Sequence, residues 1–185
     1  MSVRPVLSLP HPVLSTPSKA VGQVDHAALA LAADLVDTMA ASPACVGLAA
    51  PQIGVGLRAF AVDVTGHRKA RSCHGIFVLF DPEVISTEPV AQGEADAVRG
   101  GPQSVSGASE IAREGCMSVP DLTGDVPRLT RLVVAGLGVD GLRHTYEVDA
   151  FEARAVLHEM DHLDGLVFLD RVVGPHAIYP RKVYR

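Results

Sequence analysis

The feature that most restricts the fold of this 185-residue chain is a pair of histidines, His158 and His162, four residues apart in the stretch VLHEMDHLDG. On an α-helix, side chains at this spacing emerge one turn apart on the same face. A buried polar group without a partner is costly, and two imidazoles on one face can avoid that cost by binding a metal ion. The helix is expected to be buried, because its neighbouring residues are apolar: Val156, Leu157, Met160 and Leu163.

Glu159 follows the first histidine, so the stretch matches the H-E-x-x-H arrangement of metal-dependent hydrolases. A carboxylate at this position reaches a metal-bound water without binding the metal, and it can act as a general base. The metal would lower the pKa of that water from 15.7 toward about 7. The motif therefore predicts metal-assisted hydrolysis, with His158 and His162 as ligands and Glu159 as the acid/base.

A catalytic site of this kind usually has three protein ligands, so a third must come from elsewhere in the chain. The metzincin pattern would place a histidine where this chain has Phe168, which disfavours that family. His176 and Asp170 lie in a tail broken by prolines and belong to no motif. Cys116 is the better candidate, because a thiolate is a strong ligand for zinc or ferrous iron and because Gly115 beside it lets the backbone approach closely.

Composition places the chain among globular proteins and excludes several classes of function. Hydrophobic residues make up 48% and charged residues 20%, and 185 residues are enough for one domain, predicted over 1–185. A net charge of -5 argues against a direct nucleic-acid function or binding to an anionic membrane. Three cysteines without framework spacing favour a reducing compartment, and no apolar run is long enough to span a membrane, so we expect a cytoplasmic location.

Two helices are predicted. The first runs from a cap at Asp25 to about Ala41, where apolar residues recur at helical spacing before Pro43. The second is the histidine helix, predicted over 150–163 with a cap at or near Asp149 and a C-terminal glycine at Gly165.

The remaining segments predict strands, an arm and a loop. Proline and serine in residues 1–24 predict an extended arm laid over the domain, and glycine, serine and alanine in residues 88–109 predict a long mobile surface loop, for which a lid is one hypothesis. An Asp-Gly pair at 140–141 predicts a type I′ hairpin turn. Runs rich in β-branched and apolar residues predict four strands, at 57–64, 76–80, 132–139 and 142–148.

Three short motifs occur in order along the chain: CVGLAAPQ at 45–52, EGCMS at 114–118 and HEMDH at 158–162. Together they resemble the signature motifs of the peptide deformylases, and the similarity extends over about residues 5–170. The resemblance implies an α+β fold, with mixed, mostly antiparallel strands around a central helix that carries H-E-x-x-H. It implies removal of the formyl group from the N-terminal N-formylmethionine of newly synthesised polypeptides.

The resemblance also assigns roles to residues. It implies one divalent ion, ferrous iron in this family with zinc or nickel as substitutes, bound by Cys116, His158 and His162. Glu159 becomes the general acid/base. The amide of Gln52 and the backbone N–H of Met117 would stabilise the oxyanion, and the backbones of Val46 and Gly47 would bind the peptide substrate, with a side chain at Gly47 expected to obstruct that approach.

Two positions differ from the commonest family pattern, since Cys45 stands where glycine is usual and Met117 where leucine is usual. Cys45 is interpreted as a small filler, and Met117 acts through its backbone, so the chemistry is expected to be retained. Asp161 is expected either to pair with Arg128 and brace the helix or to be solvated.

Three alternatives remain open at this stage. A zincin-like peptidase would use the same helix with a different third ligand, and it would cleave internal bonds of unformylated peptides. A non-catalytic binding protein on the ribosome would keep the fold without turnover; ribosome contact fits the nascent-chain substrate, although the acidic charge balance gives it no support. A metal storage or sensor protein would leave Gln52 and Glu159 without a purpose.

Overall fold

The computed structural model describes residues 2–87 and 108–181. This part contains two α-helices, α1 (His26–Ala41) and α2 (Ala150–Leu163). It contains eight β-strands: β1 (Gly47–Ala49), β2 (Ala59–Val62), β3 (Phe77–Ser86), β4 (Ser109–Cys116), β5 (Val119–Leu129), β6 (Arg131–Leu137), β7 (Arg143–Asp149) and β8 (Ile178–Pro180). Short 3₁₀ turns lie at Pro12–Ser15, Ala50–Ile53, Phe168–Arg171 and Pro175–Ala177.

The strands form two antiparallel sheets, one of five strands in the order β1-β2-β3-β6-β7 and one of three in the order β4-β5-β8. The five-stranded sheet lies between the two helices. Strand β2 shows this arrangement, because Phe60 and Val62 pack in the core on the α2 side, whereas Ala59 and Ala61 pack in the core on the α1 side. The predicted α+β class, with mostly antiparallel strands around the H-E-x-x-H helix, is confirmed.

Both predicted helices are confirmed, with their ends close to the predicted residues. The Asp25 side chain caps α1 by accepting a hydrogen bond from the Ala28 amide at 2.9 Å. Asp149 occupies the cap position of α2, but its carboxylate accepts from the Ser72 amide at 2.8 Å rather than from a helix amide. Gly165 follows the end of α2 with φ +73°, the left-handed conformation that glycine adopts without strain.

The predicted strands are all present, although their ends differ by one to six residues and one turn differs in type. Strand β3 continues beyond residue 80 through a bulge at Asp81, which has φ +47° and whose carboxylate accepts the amides of Val21 and Gly22. The prediction of a type I′ turn is wrong. That turn requires a positive φ at both central residues, and here Gly141 has a positive φ but Asp140 does not. A hydrogen bond from the Gly141 amide to the Gly138 carbonyl closes an ordinary β-turn, and Gly141 at the end of this turn is left-handed. The two strands are therefore joined by a three-residue loop.

The second sheet was not predicted, although it contains the EGCMS motif. Strand β4 ends at Cys116, and a two-residue turn at Met117 and Ser118 leads into β5. Strand β8 comes from the tail and pairs with Leu122–Gly124 of β5. The hairpin therefore holds Cys116 at a tight turn, in a position that side chains on α2 can reach.

The prediction for residues 88–109 falls mostly outside the described residues; within it, Ser109 begins β4. The predicted N-terminal arm is confirmed, since residues 2–24 contain no regular element other than the 3₁₀ turn at Pro12–Ser15 and contact the domain through the Leu7 and Leu9 amides. In the described part of the chain, neither helix has the length and hydrophobicity required to cross a membrane.

Candidate metal centre

The fold brings the three predicted metal ligands together. Cys116, at the end of β4, faces the two histidines of α2, and its Sγ lies 3.2 Å from Nε2 of His162. One donor atom from each of Cys116, His158 and His162 lies within 4.8 Å of the other two. Among the described residues, no other group of three such side chains meets this criterion. His176 and Asp170 are not part of the cluster, and the Asp170 carboxylate instead accepts the Val167 amide.

The chemistry of this donor set fits a divalent metal ion. Ligands at 2.0–2.3 Å from a tetrahedral ion are about 3.5 Å apart, which is close to the sulfur–nitrogen separation found here. Burial would raise the pKa of the Cys116 thiol, but hydrogen bonds with His158 and His162 outweigh it and hold that pKa well below its usual range. A lowered pKa favours the thiolate, which is the form that binds metals.

Glu114 orients the first histidine. Its carboxylate is 5% exposed and lies 2.9 Å from Nδ1 of His158, which leaves Nε2 of that ring free to act as a ligand. The same carboxylate accepts hydrogen bonds from Arg128 at 2.9 and 3.0 Å and from Arg154 at 2.7 Å. Although burial opposes ionisation, the hydrogen bonds from His158 and Arg128 lower the pKa of Glu114 to about 2, so it carries a charge.

Asp161, three residues after His158 on α2, is held by two arginines. Its carboxylate is 2.6 Å from Nη1 of Arg128 and 2.9 Å from Nη2 of Arg171. The expected pairing of Asp161 with Arg128 is thus found in the structure, and both side chains are buried. Arg128 links this carboxylate to Glu114, so one arginine joins α2 to the strand that carries Cys116.

Glu159 is buried at the centre of the site. Burial raises the pKa of its carboxyl group to about 7, and its Oε2 has no hydrogen-bond partner within the described residues. A Cβ at Gly47 would lie 2.9 Å from both Cγ and Cδ of Glu159, and closer still to Oε1. The missing side chain at Gly47 therefore makes room for Glu159, a different use from the substrate approach expected from the sequence.

Gln52 is fixed at both ends of its amide. Its Oε1 accepts the Ala49 amide at 2.9 Å, and its Nε2 donates to Ser118 Oγ at 3.2 Å and lies 3.4 Å from the Cys116 sulfur. The N-terminal arm contacts the backbones of Gln52 and Ser118, since the Leu7 amide donates to the main-chain carbonyl of Gln52 and the Leu9 amide to that of Ser118. The donor end of Gln52 therefore points at the metal ligands.

The other predicted site residues line the same cavity of about 390 Å³, together with Gln52, the Cys116–His158 side of the metal cluster and Glu159. Val46 and Gly47 form one wall at β1, which is an edge strand of its sheet. The Val46 carbonyl already accepts the Asp63 amide, whereas the Gly47 carbonyl faces the Cys45 thiol at 3.0 Å. Met117 lines the opposite wall, and its backbone N–H has no hydrogen-bond partner among the described residues.

Sequence reasoning missed three residues of this site: Glu114, Ser118 and Arg181. Glu114 and Ser118 lie within the EGCMS motif, but the motif predicted no role for them. An acidic residue two positions before a metal-binding cysteine was the available signal for Glu114, since a carboxylate is one of the usual partners of a histidine ligand. Arg181 also lines the cavity, and nothing in its local sequence indicated this position.

Comparison with protein families matches residues 3–177 to the polypeptide deformylase model. The chain is 38% identical over 182 residues to the peptide deformylase of Desulforudis audaxviator, covering 98% of this chain and 99% of that one. It is 35% identical over 172 residues to the peptide deformylase of Agrobacterium fabrum, covering 93% of this chain and 88% of that one. Among solved structures, a peptide deformylase from Ehrlichia chaffeensis superposes with a TM-score of 0.77 at 26% identity, covering 95% of this chain and 90% of that one. The structure of a peptide deformylase from the same organism in complex with actinonin superposes with a TM-score of 0.76 at 28% identity, covering 93% of this chain and 90% of that one.

Proposed function

The chain belongs to the polypeptide deformylase family, and on that premise we propose which of its residues perform the reaction. The protein is a metal-dependent hydrolase that removes the formyl group from the N-terminal N-formylmethionine of newly synthesised polypeptides. The reaction adds water across the formyl amide, breaks its carbon–nitrogen bond, and yields formate and a free amino terminus. The catalytic domain extends over residues 1–185.

Cys116, His158 and His162 hold one divalent ion. A thiolate with two imidazoles suits ferrous iron or zinc, and we assign Fe²⁺ as the ion in the cell, with Zn²⁺ or Ni²⁺ as substitutes. When bound, the ion supplies Lewis acidity, which lowers the pKa of water toward about 7 and provides a nucleophile at neutral pH. Glu114 supports the assignment of His158 as a ligand, because the hydrogen bond between Glu114 and Nδ1 of His158 directs the other ring nitrogen toward the cysteine.

Glu159 moves the proton. A general acid/base works best when its pKa is near the working pH, and burial raises the pKa of Glu159 to about 7. Its carboxylate takes a proton from the attacking water and delivers it to the amine nitrogen as the carbon–nitrogen bond breaks. Gly47 allows the carboxylate to occupy this position, because any larger residue would collide with it.

Gln52 and Met117 stabilise the negative charge that develops on the formyl oxygen. Two donors fixed before the reaction need no reorganisation when the charge appears. Each stabilises the transition state by about 3 to 4 kcal/mol. The hydrogen bond from the Ala49 amide fixes the orientation of the Gln52 amide, so its N–H groups rather than its oxygen face the site. The backbone N–H of Met117 is the second donor.

The backbone of Val46 and Gly47 binds the peptide as an added strand. An edge strand has N–H and C=O groups on one side without a partner strand, and an extended peptide can pair with them independently of its sequence. The Val46 and Gly47 carbonyl oxygens, which already face the Asp63 amide and the Cys45 thiol, each have a second lone pair for this. The apolar part of the cavity wall, which includes Val46, Phe151 and Ala155, holds the methionine side chain. Nascent chains emerge at the ribosome, so contact with the ribosome belongs to this proposal, and the three free cysteines support a reducing, cytoplasmic environment.

The observation that carries the proposal is the convergence of Cys116, His158 and His162 beside a buried glutamate with a raised pKa. The test is formate release from formyl-Met-Ala-Ser by protein loaded with iron under anaerobic conditions, with the metal content measured on the same samples. We expect Glu159→Ala to keep the metal and lose activity, and Cys116→Ala to lose both. Full activity in Glu159→Ala would refute the mechanism, and cleavage of internal bonds in an unformylated peptide would favour the peptidase alternative.

A further inference from the structure

Arg181 reaches the wall of the active-site cavity from the tail of the chain. Its backbone amide donates to the Asp121 carbonyl at 2.8 Å, which continues the pairing of β8 with β5. From there the side chain crosses β5 to β4, where Nη2 lies 3.3 Å from the Cys116 carbonyl oxygen. The guanidinium therefore sits beside the backbone of the cysteine that we assign to the metal.

Gly115 makes room for this guanidinium. A Cβ at Gly115 would lie 3.2 Å from Cζ of Arg181 and 3.3 Å from Cγ2 of Thr123, and closer still to Nη2 of the arginine. Gly115 does not adopt the left-handed conformation, so its backbone does not require glycine. The Arg181 guanidinium therefore occupies the space that a side chain at Gly115 would need.

Arg181 also differs in charge balance from the other arginines of the cavity. Arg113 is paired with Asp125 at 2.6 Å and stacks on the ring of Tyr179, and Arg154 is bound by Glu114 and two carbonyl oxygens. In residues 2–87 and 108–181, no carboxylate pairs with Arg181. Its fork of five N–H donors is only partly used by the contact with Cys116, so it can donate to a further oxygen.

We infer that Arg181 binds a main-chain carbonyl oxygen of the substrate downstream of the formylated methionine. This rests on the proposed function, in which the peptide pairs with β1 and lies in the cavity between β1 and the end of β4. Every residue of a polypeptide carries a carbonyl oxygen, so a donor of this kind suits an enzyme whose substrates differ in sequence. Arg181 is therefore a positioning residue that raises affinity for chains extending beyond the methionine.

The test uses peptides in which a terminal carboxylate replaces that carbonyl. Formyl-Met-Ala, formyl-Met-Ala-Ser and formyl-Met-Ala-Ser-Ala are compared as free acids and as C-terminal amides, with the iron-loaded enzyme. Hydrogen bonds to ionised groups are about twice as strong as neutral ones, so at one of these lengths the free acid should have a KM about tenfold lower than its amide. The Arg181→Met variant should lose this preference with kcat within about twofold of wild type, and Arg181→Lys should keep part of it.

Arg143→Met is the matched control, because it removes the same charge from an exposed residue of β7 that pairs with Glu83. It should keep the wild-type preference for the free acid, which separates a local contact from a long-range charge effect. The inference is overturned if the wild-type enzyme shows no preference at any length, or if Arg181→Met keeps the preference. Absence of formate release from all six peptides by the wild-type enzyme would instead overturn the proposed function.

Discussion

Replacing Gly47 by alanine tests the geometry around Glu159 with the smallest possible change. The new Cβ would lie 2.9 Å from Cγ and Cδ of Glu159, whereas ordinary contact begins at 3.4 Å, and the carboxylate oxygen is closer still. Glu159 is buried, so the carboxylate has to shift on the order of 1 Å, and a shift of that size at a catalytic group costs about 100-fold in rate. This corresponds to about 2.7 kcal/mol in activation free energy.

The backbone should tolerate the substitution. Gly47 lies in a strand and is not in the left-handed region, so alanine is compatible with its conformation and reduces the entropy of the unfolded chain. The expected outcome for Gly47→Ala is therefore a kcat about 100-fold lower, with the metal content unchanged and the Tm close to wild type. Steady-state formate release, metal analysis and thermal unfolding measure the three quantities.

Gly56→Ala is the control, because its added Cβ would meet only Val13 at 3.9 Å, an ordinary contact, and should leave kcat unchanged. Wild-type kcat in Gly47→Ala would refute the assigned position of Glu159. A raised KM with unchanged kcat would instead support the original expectation that Gly47 serves the approach of the substrate.

Three further predictions concern the surroundings of the ion. Glu114→Gln should weaken metal affinity about 10- to 100-fold and lower the free energy of unfolding by about 3 kcal/mol, because His158 loses its partner and Arg128 and Arg154 stay buried; wild-type affinity in a chelator competition would contradict this. Gln52→Ala should lower kcat about 100- to 1,000-fold at unchanged metal content, and a change in KM alone would contradict the oxyanion role. Removing the ion with a chelator should lower the Tm and adding it back should restore it, since an ion at 1,000 times its Kd stabilises by about 4 kcal/mol; an unchanged Tm would show that the folded chain does not bind it.

Helix α2 could be predicted from the sequence because its signals are local. The histidine spacing, the residue at Asp149 and the glycine at Gly165 all lie within 17 residues, and the structure ends the helix at Leu163 as expected. The same holds for α1, whose cap at Asp25 precedes a regular apolar pattern.

Strand β5 could not be predicted because its composition argues against a strand. It contains Pro120, Gly124 and Pro127, which normally mark turns or loops. The two prolines are exposed and lie outside Leu122–Gly124, the part of β5 that pairs with β8, so each stands where one edge of the strand is unpaired. Gly124 is required because a Cβ there would meet Phe168 and Val172, residues of the distant tail.

The metal ligands could be predicted because their residue types restrict their chemistry, but the residues that support them depend on tertiary contacts. Glu114 meets His158 across 44 positions of the chain, and Ser118 meets Gln52 across 66. Arg181 reaches Cys116 across 65 positions, from a tail whose only signals were prolines. No local pattern records such pairs, so a fold is needed to find them.

The most direct test of the central claim is X-ray absorption spectroscopy of the metal-loaded protein at the edge of the bound ion, combined with anomalous diffraction to locate it. We expect one ion per chain, located between β4 and α2, with one sulfur at about 2.3 Å and two imidazole nitrogens at about 2.1 Å. A spectrum without a sulfur ligand, or an anomalous peak away from Cys116, His158 and His162, would contradict it.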